Sequence, residues 1–120
     1  MNKLALAAFA AFAFLSPIAT SASTGYDEYD RWVWVQNDTG DTIYEIQSAF
    51  RDEEVFDGID ILDGYIYPGE GTYVSVEDFT GYCQYWLHAK FDDGSTVTSE
   101  HTINACHYGT SNAPTWRIWD

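Results

Sequence analysis

The sequence predicts an all-β domain: a small antiparallel β-sandwich, immunoglobulin-like or related, of six to eight short strands with one hairpin disulfide. Three observations point there. Short runs rich in Val, Ile, Thr, Tyr and Trp recur between turn signals along most of the chain. No apolar stripe of helical period holds for three turns after residue 30. Two cysteines, Cys83 and Cys106, flank one of the turns at nearly equal distances.

The first 22 residues stand apart from this pattern. Met1, Asn2 and Lys3 precede an uncharged apolar run at 4–15, and small residues follow at 19–23. That order makes residues 1–22 a secretory signal peptide, with cleavage after Ala22. Residues 23–30 read as a flexible N-terminal segment and 31–120 as a single β-sandwich domain. No other apolar stretch approaches the ~20 residues of a membrane helix, so membrane insertion after cleavage is not expected. The expected destination is the periplasm or the medium of a bacterium.

The strands are read in order. Residues 31–36 (R-W-V-W-V-Q) form the first, closed by the turn chemistry of Asn37, Asp38, Thr39 and Gly40. Residues 42–50 form the second. The acidic connection 51–64 has room for one helical turn, and 65–67 is a short third strand ended by Pro68 and Gly69. Residues 72–76 are the fourth. The run 82–91 is the longest, and Asp92, Asp93, Gly94 and Ser95 turn it back into 96–104. A last strand covers 115–119.

The cysteines fit a hairpin folded at that turn, because the midpoint of 83 and 106 falls within it. In an exported domain two such cysteines form one structural disulfide. A redox pair would need the close spacing and helix N-terminus that are missing here.

The order N-D-T-G-D-T-I-Y-E, an acidic loop ending I-D-I-L-D-G, then I-Y-P-G-E, C-Q-Y-W-L-H-A-K-F-D-D-G-S and I-N-A-C resembles a group of small exported bacterial proteins. Those are single β-rich domains with one disulfide and an uncharacterised function. The resemblance spans residues 33–106 and implies fold and compartment; it implies no catalytic or binding residues.

Charge excludes several function classes. The chain carries 19 acidic and 5 basic residues, a formal charge of −14, and loss of Lys3 with the leader makes it −15. Nucleic acid and anionic membrane surfaces are excluded as partners by that sign. A basic protein or a cation remains attractive. Aromatic residues at 18% of the chain rule out an acidic disordered tail.

Three constellations could carry chemistry. Asp52, Glu53, Glu54, Asp57, Asp60 and Asp63 are candidate calcium ligands, although no EF-hand spacing is present, and a solvated charged loop is the expected reading. His88 and His101 share the register that pairs the cysteines, so a regular hairpin would set them face to face as candidate zinc or copper ligands. Trp32 and Trp34 share one face of the first strand and Val33 and Val35 the other. Outward tryptophans would make a sugar-stacking platform; the expected arrangement is packing beneath Tyr26, Tyr29, Trp116 or Trp119, with Trp34 largely buried.

Neither a G-x-S-x-G elbow nor an H-E-x-x-H helix is present, and no enzyme is expected. The reading is an exported, acidic, monomeric binding or interaction domain with no required cofactor. Its ligand is a protein or carbohydrate of the cell envelope. The alternatives are an inhibitor or binder of a basic envelope protein or hydrolase, a carbohydrate-binding accessory domain using Trp32 and Trp34, and a calcium-binding domain using the 52–63 loop.

Overall fold

In the computed structural model of the chain, residues 27–53 and 55–120 are described, and eight strands among them form two four-stranded sheets. The expected signal peptide, residues 23–26 and Glu54 lie outside the described residues. Glu28–Glu77 and Tyr82–Asp120 make one compact unit, to which Asp78–Gly81 does not belong. Within Asp78–Gly81, the Asp78 carboxylate accepts the Thr80 N–H and hydroxyl. Among the described residues there is no α-helix, and no helix is long and apolar enough to cross a membrane.

The first sheet is built around β1 (Asp30–Asp38), whose burial alternates strictly along the strand. Val33 and Val35 are fully buried, and Arg31 and Asn37 share their inward face. β3 (Gly71–Ser75) pairs antiparallel along one edge of β1. β7 (Cys106–His107) and then β8 (Thr115–Trp119) share the other edge. β8 runs parallel to β1, so this sheet is mixed where a purely antiparallel one was expected. The reason is local: β7 runs antiparallel to β1, and the 3₁₀ turn Thr110–Asn112 reverses the chain before β8 begins.

His107 closes the gap between those two edge partners. Its Nε2 accepts the Trp32 N–H at 3.0 Å, and Pro114 O accepts the Trp34 N–H at 2.9 Å. Because Nε2 is an acceptor, the proton sits on Nδ1, which donates to Gly109 O at 2.7 Å.

The second sheet is built around β4 (Gln84–Phe91), with β2 (Ile43–Phe50) on one edge and β5 (Thr96–Thr98) and β6 (Ile103–Asn104) on the other. All its pairings are antiparallel. The hairpin register differs from the expected one. His88 pairs with Thr98 and Tyr85 with Ile103, so residues 86–87 of β4 face residues 99–102 across the ladder. Ser99 bridges this irregularity, donating its N–H to Leu87 O and accepting the Leu87 N–H on Oγ. The surplus residues leave the sheet there, and the expected single strand 96–104 becomes two short ones.

The expected Cys83–Cys106 disulfide is present, with the Cα atoms 5.2 Å apart. It is not a cross-strand link within one hairpin. After β6 the chain passes through Ala105, which is fully buried, and enters the first sheet as β7. Cys106 pairs with Arg31 of β1, whereas Cys83 immediately precedes β4 of the second sheet. The bond pins the corner where the chain changes sheets.

The core lies between the two sheets: Val33, Val35, Val74 and Ile118 from one, Ile46, Tyr85, Leu87 and Ala89 from the other. The 51–70 connection adds Leu62 and Ile66 to it. Residues 65–67, expected as a strand, make a single bridge in which Ile43 and Ile66 exchange N–H···O bonds of 3.0 Å. Pairing stops because Pro68 and Gly69, with φ of 85° at the glycine, turn the chain toward β3. Asn37, wholly buried, holds this region: its Nδ2 donates to Asp41 O and Ile66 O, and its Oδ1 accepts from Thr39 N–H and Oγ. Arg31 is also buried and donates to Tyr82 O at 2.6 Å and to the Glu77 carboxylate at 3.2 Å.

Candidate functional site

The valine face of β1 fills the core, so the alternate face must point outward. It reads Asp30, Trp32, Trp34, Gln36 and Asp38. Neighbouring strands add to the same surface: Trp34 stands between Tyr73 of β3 and Thr115 of β8, and Gln36 between Gly71 and Arg117. The outcome for the tryptophans differs from the expected burial. Trp32 is 37% exposed and Tyr73 40%, while Trp34 is half-buried. Neither Trp116 nor Trp119 covers them, because Trp116 packs against the core and Trp119 stands 65% exposed.

Trp34 is held in a defined pose. Its ring meets Tyr73 edge-on, with centroids 4.8 Å apart and planes at 74°. Such a pair contributes about 0.5–1.5 kcal/mol beyond area burial. The indole lies across Gly71, where an added Cβ would fall 2.6 Å from its Cε2 and Cζ2 atoms. The indole N–H donates to Gln36 Oε1 at 3.0 Å, and Gln36 Nε2 donates to Asp38 and to Gly69 O. Asp38 is also paired with Arg117 across the strands. Trp32 has no comparable side-chain anchor among the described residues.

A surface of this kind offers two tryptophans and a tyrosine with amide and carboxylate groups beside them. Apolar sugar faces stack on indoles, and sugar hydroxyls bond to such polar neighbours. Gly71, Tyr73, Gln36 and Arg117 were not singled out from the sequence. The alternation of 71–75 held the signal, but which strands flank β1 is not written in local pattern.

The outer face of the second sheet is different. Glu45, Gln47, Trp86, His88 and Lys90 line it in register with Thr96 and Thr98. Lys90 lies 3.3 Å from Glu45, and Gln47 donates to the same carboxylate. The Gln47 hydrogen bond, more than Lys90, holds Glu45 below its ordinary value against an opposing burial effect. His88 Nδ1 contacts Thr98 Oγ at 2.7 Å, and Phe56 from the 51–64 connection packs on the ring. Burial first, then the Lys90 charge, hold the His88 imidazole below its ordinary value, with Glu45 opposing. His101, expected opposite His88, is exposed in the 99–102 interruption instead. The displaced register separates them.

The described members of the acidic loop face different tasks. Asp60 Oδ1 accepts the N–H groups of Ile46 and Leu62 at 3.0 and 2.9 Å, so it secures the loop to the edge of β2. Glu53 accepts the Phe50 N–H, Asp57 accepts the Ile59 N–H, and Asp52 pairs with Arg51. Asp63 is exposed. Among the described residues, no group of three His, Cys, Asp or Glu side chains is arranged to hold a metal ion.

Four other carboxylates converge without having been predicted. Asp41 ends the β1–β2 turn, Asp92 and Asp93 lie in the β4–β5 turn, and Asp120 follows β8. Asp93 first, then burial, then Asp92 and Asp120 raise the Asp41 carboxyl above its ordinary value. Asp93 itself is lowered, chiefly by the Ser95 hydroxyl and N–H. The two turns meet because Ile43 at the start of β2 pairs with Phe91 at the end of β4, and the Asp92 N–H donates to Thr42 O at 3.0 Å.

No protein-family model matches the chain, and no curated protein sequence does. Among solved structures, the chain is similar to the NMR structure of a protein from Eubacterium rectale. That match has a TM-score of 0.45 and 15% identity, covering 78% of this chain and 77% of the other.

Proposed function

We propose that this chain is an exported, non-enzymatic binding domain whose outward β1 face takes a carbohydrate of the cell envelope. The observation that carries the reading is the strand's own alternation: Val33 and Val35 are buried, while Trp32 and Tyr73 are exposed beside a pinned Trp34. Along β1 the valines thus turn to the core and the tryptophans to the surface. Export is supported by the disulfide and by the leader-like order of residues 1–22.

Isothermal titration of the mature chain with the neutral oligosaccharides cellopentaose and chitopentaose tests this. At least one is expected to bind, with tryptophan fluorescence changing in parallel. Trp32→Ala should remove binding by tenfold or more and leave the thermal midpoint nearly unchanged. No binding to any of them, or binding unaffected by Trp32→Ala, would overturn the reading.

A further inference from the structure

Among the described residues the sandwich is closed along one side and open along the other. On the closed side the 51–70 connection runs from the edge of β2 to the end of β1 where β3 begins: Ile61 N–H bonds Ile46 O, Ile43 and Ile66 exchange bonds, and Asn37 N–H bonds Glu70 O. On the opposite side, β8 and the β5–β6 segment face each other across a groove of about 360 Å³. Both are edge strands, and no described backbone group pairs with the groove side of β8.

Exposed edges are usually blunted by lysines, prolines or bulges, because a row of unpaired N–H and C=O groups templates another strand. β8 (T-W-R-I-W) carries one charge, Arg117, and Asp38 engages it. Val97, Ile103, Trp116 and Ile118 give the groove apolar ground on which alternate side chains can rest. Toward the end of β8 it adjoins a smaller cavity of about 170 Å³ that shares Val97, Ile118 and Trp119 with it and includes Asp41 and Asp120. That end is anionic, with Asp92 and Asp93 on the adjoining turn.

We propose that this groove takes an extended peptide segment of a partner protein, which adds as a strand to β8 and sets a Lys or Arg against Asp41, Asp93 and Asp120. Main-chain bonds supply affinity in such an addition, and alternate side chains supply selectivity. A second copy of this chain is a poor occupant: it carries the same acidic end and a formal charge of −14. A basic segment relieves the repulsion among the four carboxylates. The groove borders the outward face of β1 at Thr115 and Arg117, but Trp32, Trp34 and Tyr73 lie outside it, so the proposal can fail independently of the carbohydrate reading.

The probe is a displayed library of dodecapeptides with Val, Ile, Leu or Thr at alternate positions and all others random, selected on the mature protein. Enriched sequences are expected to carry Lys or Arg near one end. The best of them, made synthetically, should shift the backbone amides of 115–119 and 96–103 in an NMR titration. N-methylation at alternate residues should abolish binding, because it removes the ladder donors. The Asp93→Asn, Asp120→Asn double variant, altered only in exposed turn and terminal positions, should weaken the basic peptide by fivefold or more and leave a Lys→Gln peptide unaffected. The proposal is overturned by a failure to enrich any sequence, by enrichment without a basic residue, by binding that tolerates N-methylation, or by amide shifts confined to Trp32, Trp34 and Tyr73.

Discussion

Cys83 stands in backbone register with Ala105, whose N–H bonds its carbonyl at 2.8 Å, yet its sulfur is bonded to Cys106. The one-residue offset exists because Cys106 has already left the second sheet for β7 of the first. The disulfide therefore holds the two sheets together at the crossover, beside the buried Arg31.

The paired replacement Cys83→Ala, Cys106→Ala should cost about 3 kcal/mol on the chain-entropy argument for a loop of this length. Urea denaturation followed by tryptophan fluorescence measures it. Amide exchange should rise first in β7 and around Arg31, not in the β4–β5 turn, if the bond acts at the crossover. Uniform acceleration in the turn instead would show that it acts as a hairpin link.

Gly71→Ala places a Cβ where the Trp34 indole now lies. Overpacking of this kind costs about 1–3 kcal/mol, and the lower part of that range is expected because an indole at the surface can swing aside. Its emission should shift to the red as it loses Tyr73 and Gln36. Any sugar affinity should fall with it, while the far-ultraviolet spectrum stays that of the parent. An unchanged emission maximum would contradict the close approach.

Asp60→Ala should destabilise the domain by about 1–2 kcal/mol, since two backbone N–H groups lose a shared carboxylate acceptor. The loss is expected to be equal in sodium chloride and in calcium chloride of matched ionic strength. Asp57→Ala, which breaks only a local turn bond to Ile59, should cost less. A calcium-specific stabilisation of the parent that Asp60→Ala abolishes would assign the loop to cation binding.

His88 sets a pH dependence whose sign follows from its surroundings. Burial and Lys90 lower its folded value below the ordinary 6.5, so the folded state prefers the neutral ring. Its contribution is complete above that ordinary value and is lost as the pH falls through it toward the lower folded value. His88→Gln should therefore flatten the acid-side fall of the urea midpoint between about pH 7 and pH 5. A steeper fall in the variant would reverse the assignment.

The sequence by itself determined the class of fold, the disulfide partners, the alternation of β1 and the places where most strands begin and end. These are local properties: β-rich runs, turn residues and residue parity act within a few positions of one another. Only the tertiary structure decided that β8 runs parallel to β1, that two extra residues at 99–102 part His88 from His101, and that Asp60 is a clasp for the β2 edge. It also decided which face of β1 is the outer one. Alternation divides Trp32 and Trp34 from Val33 and Val35, but the choice between the two faces depends on what the second sheet presents. Ile46, Leu87 and Ala89 leave space that valines fill, and Gly71 gives the Trp34 indole a bed on the outside. That complementarity joins residues far apart in the chain, and no local pattern records it.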